Sequence, residues 1–232
     1  MRRAPASALL CAALLGAAPA GKPRQGQAFL DQGSFVIARE GDEIGREEFA
    51  IRPVAGSAGG FLAVATVRYR DRELKAALEL GAGRAPVSYQ LDVTTGGRVT
   101  ERLTGQFGPG RFAVRIATPA REVAREFPVP PAAVVLDDDI FDQYTFVPHG
   151  GGSPPSVALV RPREARLVTA AVRDLGSDTV VVAGHRVPAE HLAVTLPPDD
   201  RREVWFSAAG TLLKVALPTS GITATRLNLP PR

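Results

Sequence analysis

Apolar and polar residues alternate along most of this chain, which is the pattern of β-strands that bury one face. In VSYQLDV, residues 87–93, every second residue from Val87 to Val93 is apolar, so these side chains share one side of a strand. The same period predicts further strands at 34–40, 46–54, 61–70, 73–80, 98–107, 111–118, 121–129, 165–175, 178–184, 189–197, 202–210, 211–218 and 222–229. In 73–80, ELKAALEL, helix propensity competes with this interpretation.

Short turn sequences join these predicted strands. TTGG at 94–97 and GPG at 108–110 supply the positive φ angles that tight hairpins need. Strands joined by such short turns pair antiparallel. A long sheet with one apolar face twists and curls to bury that face. The sequence therefore predicts an all-β fold: an antiparallel meander curled into a barrel or half-barrel, with one short helix.

The strand pattern lapses over residues 130–164, which we interpret as a helix-and-loop insertion. Within it, three aspartates at 137–139 precede apolar residues at helical spacing. Aspartate accepts hydrogen bonds from free N–H groups at a helix N-terminus, so the pattern predicts an amphipathic helix near 137–146. The alternative is a metal site that joins His149 to the aspartates, although the calcium-loop spacing is absent.

The three histidines raise two further possibilities. His149 opens the motif HGGG, which is similar to the oxyanion-hole motif of some lipases and esterases, but the sequence has no nucleophile elbow G-x-S-x-G. We interpret GGGSPP as a loop ended by prolines. His185 and His191 are weak candidates for zinc ligands with His149, and exposed loop histidines are the alternative. No catalytic set, metal or cofactor is predicted.

The N-terminus has the layout of a secretory signal peptide. Arg2 and Arg3 precede the apolar run 8–16, and an A-x-A cleavage site ends at Ala20. We expect cleavage there, which removes Cys11 and leaves residues 21–232 as a single cysteine-free β domain. The mature protein is then predicted to be periplasmic or secreted, without disulfides.

Charge and hydropathy exclude other classes. The formal net charge is +4, and the two arginines of the signal peptide contribute half of it. The remaining arginines are spread along the chain without a basic block, so no nucleic-acid partner is expected. No other apolar run approaches the length of a membrane span, so the cleaved chain is not predicted to be an integral membrane protein.

The aromatic residues lie in the predicted strands and helix, and core packing accounts for most of them. A curved sheet with a short helix across its mouth could also leave a cavity for a small apolar or lipid-like ligand. The candidate cavity or lid residues are Phe141, Tyr144, Phe146, Trp205, Tyr89 and Leu91.

Two segments carry a resemblance to known families. VVVAGHRVPAEHLAVTLPPDDRREVWFSAAGTLLKVALP, residues 180–218, and GSFVIAREGDEIGREEFAIR, residues 33–52, resemble uncharacterised exported bacterial β-meander proteins. Those families look like distant relatives of the periplasmic lipoprotein carriers of the LolA type. The resemblance implies an open β half-barrel closed by short helices over a hydrophobic cavity, and it implies no catalytic residue.

Three functions remain open at this point. The first is a non-catalytic periplasmic protein that binds an apolar or lipid-like ligand inside the curved sheet. The second is an envelope module with a packed interior, which predicts an exposed strand edge or apolar patch where an envelope protein docks. The third is a metal-dependent hydrolase that uses the three histidines and the aspartates.

Overall fold

The structure, a computed structural model, describes residues 30–54 and 59–229. The predicted signal peptide, residues 1–20, lies outside the described residues. Within those ranges the chain forms fifteen strands: β1 (Asp31–Arg39), β2 (Asp42–Pro53), β3 (Phe61–Tyr69), β4 (Arg72–Leu80), β5 (Pro86–Thr95), β6 (Arg98–Gly108), β7 (Arg111–Ala117), β8 (Glu122–Pro128), β9 (Val134–Val135), β10 (Ser156–Arg161), β11 (Arg166–Val182), β12 (His185–Leu196), β13 (Asp200–Ser207), β14 (Leu212–Leu217) and β15 (Ile222–Arg226). Four short 3-10 helices accompany them: Ala82–Arg84, Asp142–Phe146, Pro162–Glu164 and Pro218–Ser220.

All fifteen strands belong to one sheet, which confirms the predicted all-β meander. The strand order is β8-β7-β6-β5-β4-β3-β2-β1-β15-β14-β13-β12-β11-β10-β9, so the first and last strands of the chain pair at its centre. Every pair is antiparallel except β9 with β10. The sheet is not closed, because its two edges, β8 and β9, do not pair with each other. We call the opening between these edges the seam.

The predicted alternation decides secondary structure even where helix propensity competes. Residues 73–80 form most of β4, with Leu74, Ala76, Leu78 and Leu80 buried on the inner face. A strand with this pattern buries four apolar side chains at once, whereas a helix would spread them around its circumference. Val87 departs from the prediction: a bulge beside Leu80 leaves it 37% exposed.

The inside of the barrel-like sheet is filled by the chain itself. After β8, residues 133–147, which we call the interior segment, run through the core between the two halves of the sheet. Most of their side chains are buried and belong to one cluster with the inner faces of the strands. The interior segment therefore occupies the place where a hydrophobic cavity was predicted.

The insertion at 130–164 contains more strand and less helix than the pattern predicted. It includes β9 and β10, and the helix predicted near 137–146 is a 3-10 helix of five residues, Asp142–Phe146. The aspartates do not cap it: its N-cap residue is Phe141, which makes no side-chain cap hydrogen bond, and the N–H groups of Phe141 and Asp142 donate to Glu47. The two predicted strands at 165–175 and 178–184 are one strand, β11, with an irregularity at Gly176.

A second, smaller core lies on the outer side of the sheet. Val180 and Val182 of β11 pack with Trp205, Leu213 and other buried residues of β12 to β14. The neighbours of Trp205 along β13, Val204 and Phe206, belong to the main core instead, so Trp205 points to the opposite face. None of the described helices is both long enough and apolar enough to span a membrane.

Candidate functional site

The three aspartates at 137–139, which we call the aspartate hub, bond to side chains of distant strands: Asp138 and Asp139 to arginines, and Asp137 to a tyrosine. The Asp138 carboxylate accepts hydrogen bonds from Arg161 and, at 3.0 Å, from Arg202. Arg202 is almost fully buried, and it also donates to the Tyr144 hydroxyl at 2.7 Å. Asp138 therefore ties the interior segment to β10 on one side and β13 on the other.

Asp139 reaches the first half of the sheet. Its carboxylate accepts hydrogen bonds from Arg72 at 3.0 Å, from the Tyr69 hydroxyl at 3.3 Å and from Arg163 at 3.5 Å. Its left-handed φ turns the chain so that neighbouring aspartates point to different strands. Aspartate tolerates this conformation better than most residues, so Asp139 can both form the turn and make the ion pairs.

Asp137 points into the core and is nearly inaccessible to solvent. It accepts a hydrogen bond from the Tyr89 hydroxyl at 2.8 Å, while its backbone N–H donates to Gln143 Oε1 at 2.7 Å. Burial raises the pKa of Asp137 to about 7, and the Arg163 guanidinium opposes part of that rise. This carboxyl group is therefore partly protonated near neutral pH.

Glu47 fixes the far part of the interior segment to β2. The two oxygens of this buried carboxyl group accept the backbone N–H groups of Phe141 and Asp142, both at 2.6 Å. Glu47 also contacts the Asp142 carboxyl group. Burial raises the pKa of both groups; repulsion by Asp142 raises the pKa of Glu47 further, whereas the hydrogen bond with Glu47 lowers that of Asp142. The pair holds a proton that two exposed carboxylates would have lost.

A cleft of about 510 Å³ opens at the seam, beside the aspartate hub. Its lining side chains are mainly charged, with a few apolar ones between them. They come from β6, β7, β8, β10, the interior segment and the β7–β8 and β10–β11 connections: Glu101, Ile116, Thr118, Arg121, Val123, Arg125, Asp137, Asp138, Arg161, Arg163, Glu164 and Ala165. The volume lies within the range of small-molecule sites.

Two arginines at the edge of the sheet line this cleft: Arg125 in β8, and Arg121, which directly precedes β8. Arg125 lies opposite Val114, and Val123 lies opposite Ile116, so these residues share the inner face of the sheet. Arg121 continues the same alternation and also lines the cleft. No ion pair joins Arg121 or Arg125 to a carboxylate within residues 30–54 and 59–229.

The acidic side chains of the cleft are already held by other groups. Glu101 accepts from Arg163 at 3.1 Å, and Glu164 pairs with Arg161 at 2.5 Å and also with Arg166. Asp138 and Asp137 have the arginine and tyrosine partners described above. The two arginines at the edge of the sheet are therefore the positive charges that this cleft offers to a ligand.

The predicted ligand residues do not form one site. Tyr89, Leu91, Phe141 and Tyr144 are at most 2% exposed in the main core, whereas Trp205 lies on the outer face. Whether any of them touches a ligand stays a prediction. Trp205 cannot line the same cavity as the other five, because adjacent strand residues point to opposite faces.

Two of the predicted residues line hollows at the surface: Leu91 lines one of about 390 Å³ between β4, β5 and β6, and Phe146 lines another. It lines a hollow of about 230 Å³ together with Leu30, Ile51, Phe61 and neighbouring residues. This hollow is smaller than most ligand pockets, and a ligand role for Phe146 stays a prediction.

The three histidines lie apart. His149 stacks on Phe206 in the main core at 3.8 Å between ring centroids, and His191 stacks on Trp205 on the outer face at 4.2 Å. His185 is exposed at the β11–β12 turn. The described residues contain no group of three potential metal ligands, so the structure does not assemble the zinc site that the spacing left open.

Sequence reasoning missed Arg121 and Arg125. The signal was present, because Arg121, Val123, Arg125 and Phe127 alternate on one face of a predicted strand. Two arginines on an inward face contradict a closed apolar barrel, and they fit a strand that borders an opening.

No protein-family model matches the sequence, and no curated protein matches it. A crystal structure described as a β-barrel-like protein of the domain of unknown function DUF1849, from Brucella abortus, superposes with a TM-score of 0.53. The match covers 85% of this chain and 94% of that chain at 9% sequence identity. At this identity the likeness concerns the fold alone, and the resemblance to LolA-type carriers stays a prediction. The chain is therefore similar in fold to a β-barrel-like protein of unknown function.

Proposed function

We propose that the mature protein is an exported, non-catalytic binding module that holds an anionic ligand in the seam cleft. The observation that carries this proposal is the pair Arg121 and Arg125, which face the cleft without a carboxylate partner among the described residues. The pattern of residues 1–20 supports export to the periplasm or beyond.

The cleft suits a ligand that has both a negative charge and an apolar part. Ile116, Val123 and Ala165 place apolar surface beside the arginines. A lipid-like ligand with an acidic headgroup is therefore one candidate, and it would bind at the seam. The core position first predicted for it is occupied by the interior segment.

The filled interior also supports the second predicted function, an envelope interaction module. Such a module needs a folded scaffold with an open edge, and β8 provides that edge.

Two-dimensional amide NMR spectra test the proposal with citrate as an anionic probe and palmitate as an amphiphilic one. We expect citrate to shift signals of β8 and of the β10–β11 connection. The double variant Arg121→Gln/Arg125→Gln is expected to weaken citrate binding by about tenfold or more, since two charge-assisted contacts are lost.

The matched control is Arg115→Gln. Arg115 lies on β7 opposite Ala124 and pairs with Glu122 on the outer face, so its charge is removed without touching the cleft. Equal citrate binding by the double variant and the control would contradict the proposal. Stronger binding of palmitate than of citrate, lost in the double variant, would identify the ligand as amphiphilic.

A further inference from the structure

The strand edge at the seam is open to another strand. Within residues 30–54 and 59–229, β8 pairs with β7 on one side, and the sheet ends on its other side. The opposite edge, β9, is only two residues long, and both residues are buried. Of the two edges, β8 therefore offers the longer row of unpaired backbone groups.

Hydrogen bonds at both ends of β8 show which residues point to the seam. The Thr118 N–H donates to Arg121 O at 2.8 Å, and the Val129 N–H donates to Gly110 O at 2.9 Å. Because bonding residues alternate in an antiparallel pair, residues 121, 123, 125, 127 and 129 face β7. The backbone groups of Glu122, Ala124 and Glu126 then face the seam. Pro128 has the same parity, and its missing N–H costs no ladder bond there.

The outer and inner faces of β8 differ in the charges that they present to an added strand. On the outer face, Glu122 and Glu126 are matched by Arg115 and Arg111 of β7. On the inner face, the unmatched charge is that of the two arginines in the cleft. A strand added at this edge would place every second side chain within cross-strand distance of those arginines.

We propose that β8 accepts, as an additional strand, an extended segment of a partner protein with carboxylates at alternate residues. This inference rests on the proposed function, because it uses the same two arginines, and it adds backbone pairing to the charge contacts. Peptide addition to a sheet edge derives affinity from main-chain hydrogen bonds and specificity from alternate side chains.

A second copy of this chain does not fit the edge equally well. Antiparallel pairing of two β8 strands about Val123 would set Arg121 of each copy opposite Arg125 of the other. Pairing about Ala124 would set Glu122 of each copy opposite Glu126 of the other. Like charges directly opposite each other destabilise a strand pair. The inward arginines thus disfavour self-association and favour an acidic partner, so charge complementarity selects the occupant.

The test uses a short peptide that alternates glutamate with threonine, and a matched peptide with lysine in place of glutamate. We expect the wild-type protein to bind the glutamate peptide at least about tenfold more tightly than the lysine peptide. Methylation of alternate backbone nitrogens of the glutamate peptide is expected to weaken binding by about tenfold or more, because edge hydrogen bonds are lost.

The variant Ala124→Pro separates strand addition from simple anion binding. Ala124 is exposed and its N–H faces the seam, so proline removes an edge donor while the ladder with β7 is kept. We expect peptide binding to fall by about tenfold while the citrate response persists.

The outcomes distinguish the two proposals. Full peptide affinity in Ala124→Pro, or with the methylated peptide, would overturn strand addition and leave anion binding intact. Absence of a citrate response in the wild-type protein would instead refute the proposed function on which this inference rests. Equal binding of the glutamate and lysine peptides would refute the acidic partner.

Discussion

Replacement of Glu47 by alanine is expected to destabilise the fold severely, because this one side chain holds the interior segment to β2. Its carboxyl group is fully buried, and it is the acceptor for the N–H groups of Phe141 and Asp142. Each buried donor left without an acceptor costs about 1–3 kcal/mol. The two together correspond to about 2–6 kcal/mol, a large part of the 5–15 kcal/mol that typically stabilises a domain.

Urea unfolding followed by circular dichroism measures this loss. The matched control is Glu48→Ala, the next residue on the same strand, whose exposed carboxylate pairs with Arg68 at 3.1 Å. An exposed pair contributes less than about 1 kcal/mol. Glu47→Gln keeps one oxygen acceptor, so its stability should fall between those of Glu47→Ala and wild type. If Glu47→Ala and Glu48→Ala unfolded at the same urea concentration, the anchoring role of Glu47 would be refuted.

Two further changes test the packing around the interior segment. The pKa of Asp137 is about 7, against an ordinary value of 3.8. The folded chain therefore binds this proton more tightly than the unfolded chain does. The resulting stabilisation is fully present below about pH 4 and is lost as the pH rises to about 7. Asp137→Asn is expected to remove about 4 kcal/mol of this pH dependence from the free energy of unfolding, and parallel pH profiles for variant and wild type would contradict that. Gly105→Ala would place a Cβ atom 2.5 Å from the Phe112 ring, so we expect about 1–3 kcal/mol of destabilisation. An unchanged thermal midpoint would count against that close approach.

Local alternation was sufficient to predict most of the sheet. β4 formed in spite of its helix propensity, because a strand collects its leucines on one face. It was not sufficient for β10, where Val157, Leu159 and Val160 are all buried. A strand that is covered on both sides has no polar face. Its sequence, SVALVR, is therefore without the sustained alternation of apolar and polar residues that predicted the other strands.

The interior segment shows a second limit. Its apolar spacing predicted an amphipathic helix, but the segment is surrounded by protein, so even Asp142 and Gln143 are buried. The partner of its backbone, Glu47, lies more than ninety residues away in the sequence. Local sequence cannot reveal an acceptor that a distant strand supplies. It therefore cannot show that the aspartates bind arginines instead of capping a helix.

The candidate site could be predicted only in part, for a related reason. Arg121 and Arg125 lie at inward positions of a correctly predicted strand, yet their meaning depends on the position of β8 in the sheet. In a closed barrel they would be buried unpaired charges, whereas at an edge they line an opening. Edge position follows from the order of all fifteen strands in the described chain, which the local pattern does not encode.

Residue-resolved amide hydrogen exchange tests most directly whether the seam is the binding surface. On addition of the glutamate–threonine peptide, we predict slower exchange at Glu122, Ala124 and Glu126, whose N–H groups face the seam. Protection confined to residues around Phe146 and its hollow would place the ligand elsewhere. Unchanged exchange at β8 with the peptide bound would contradict the account.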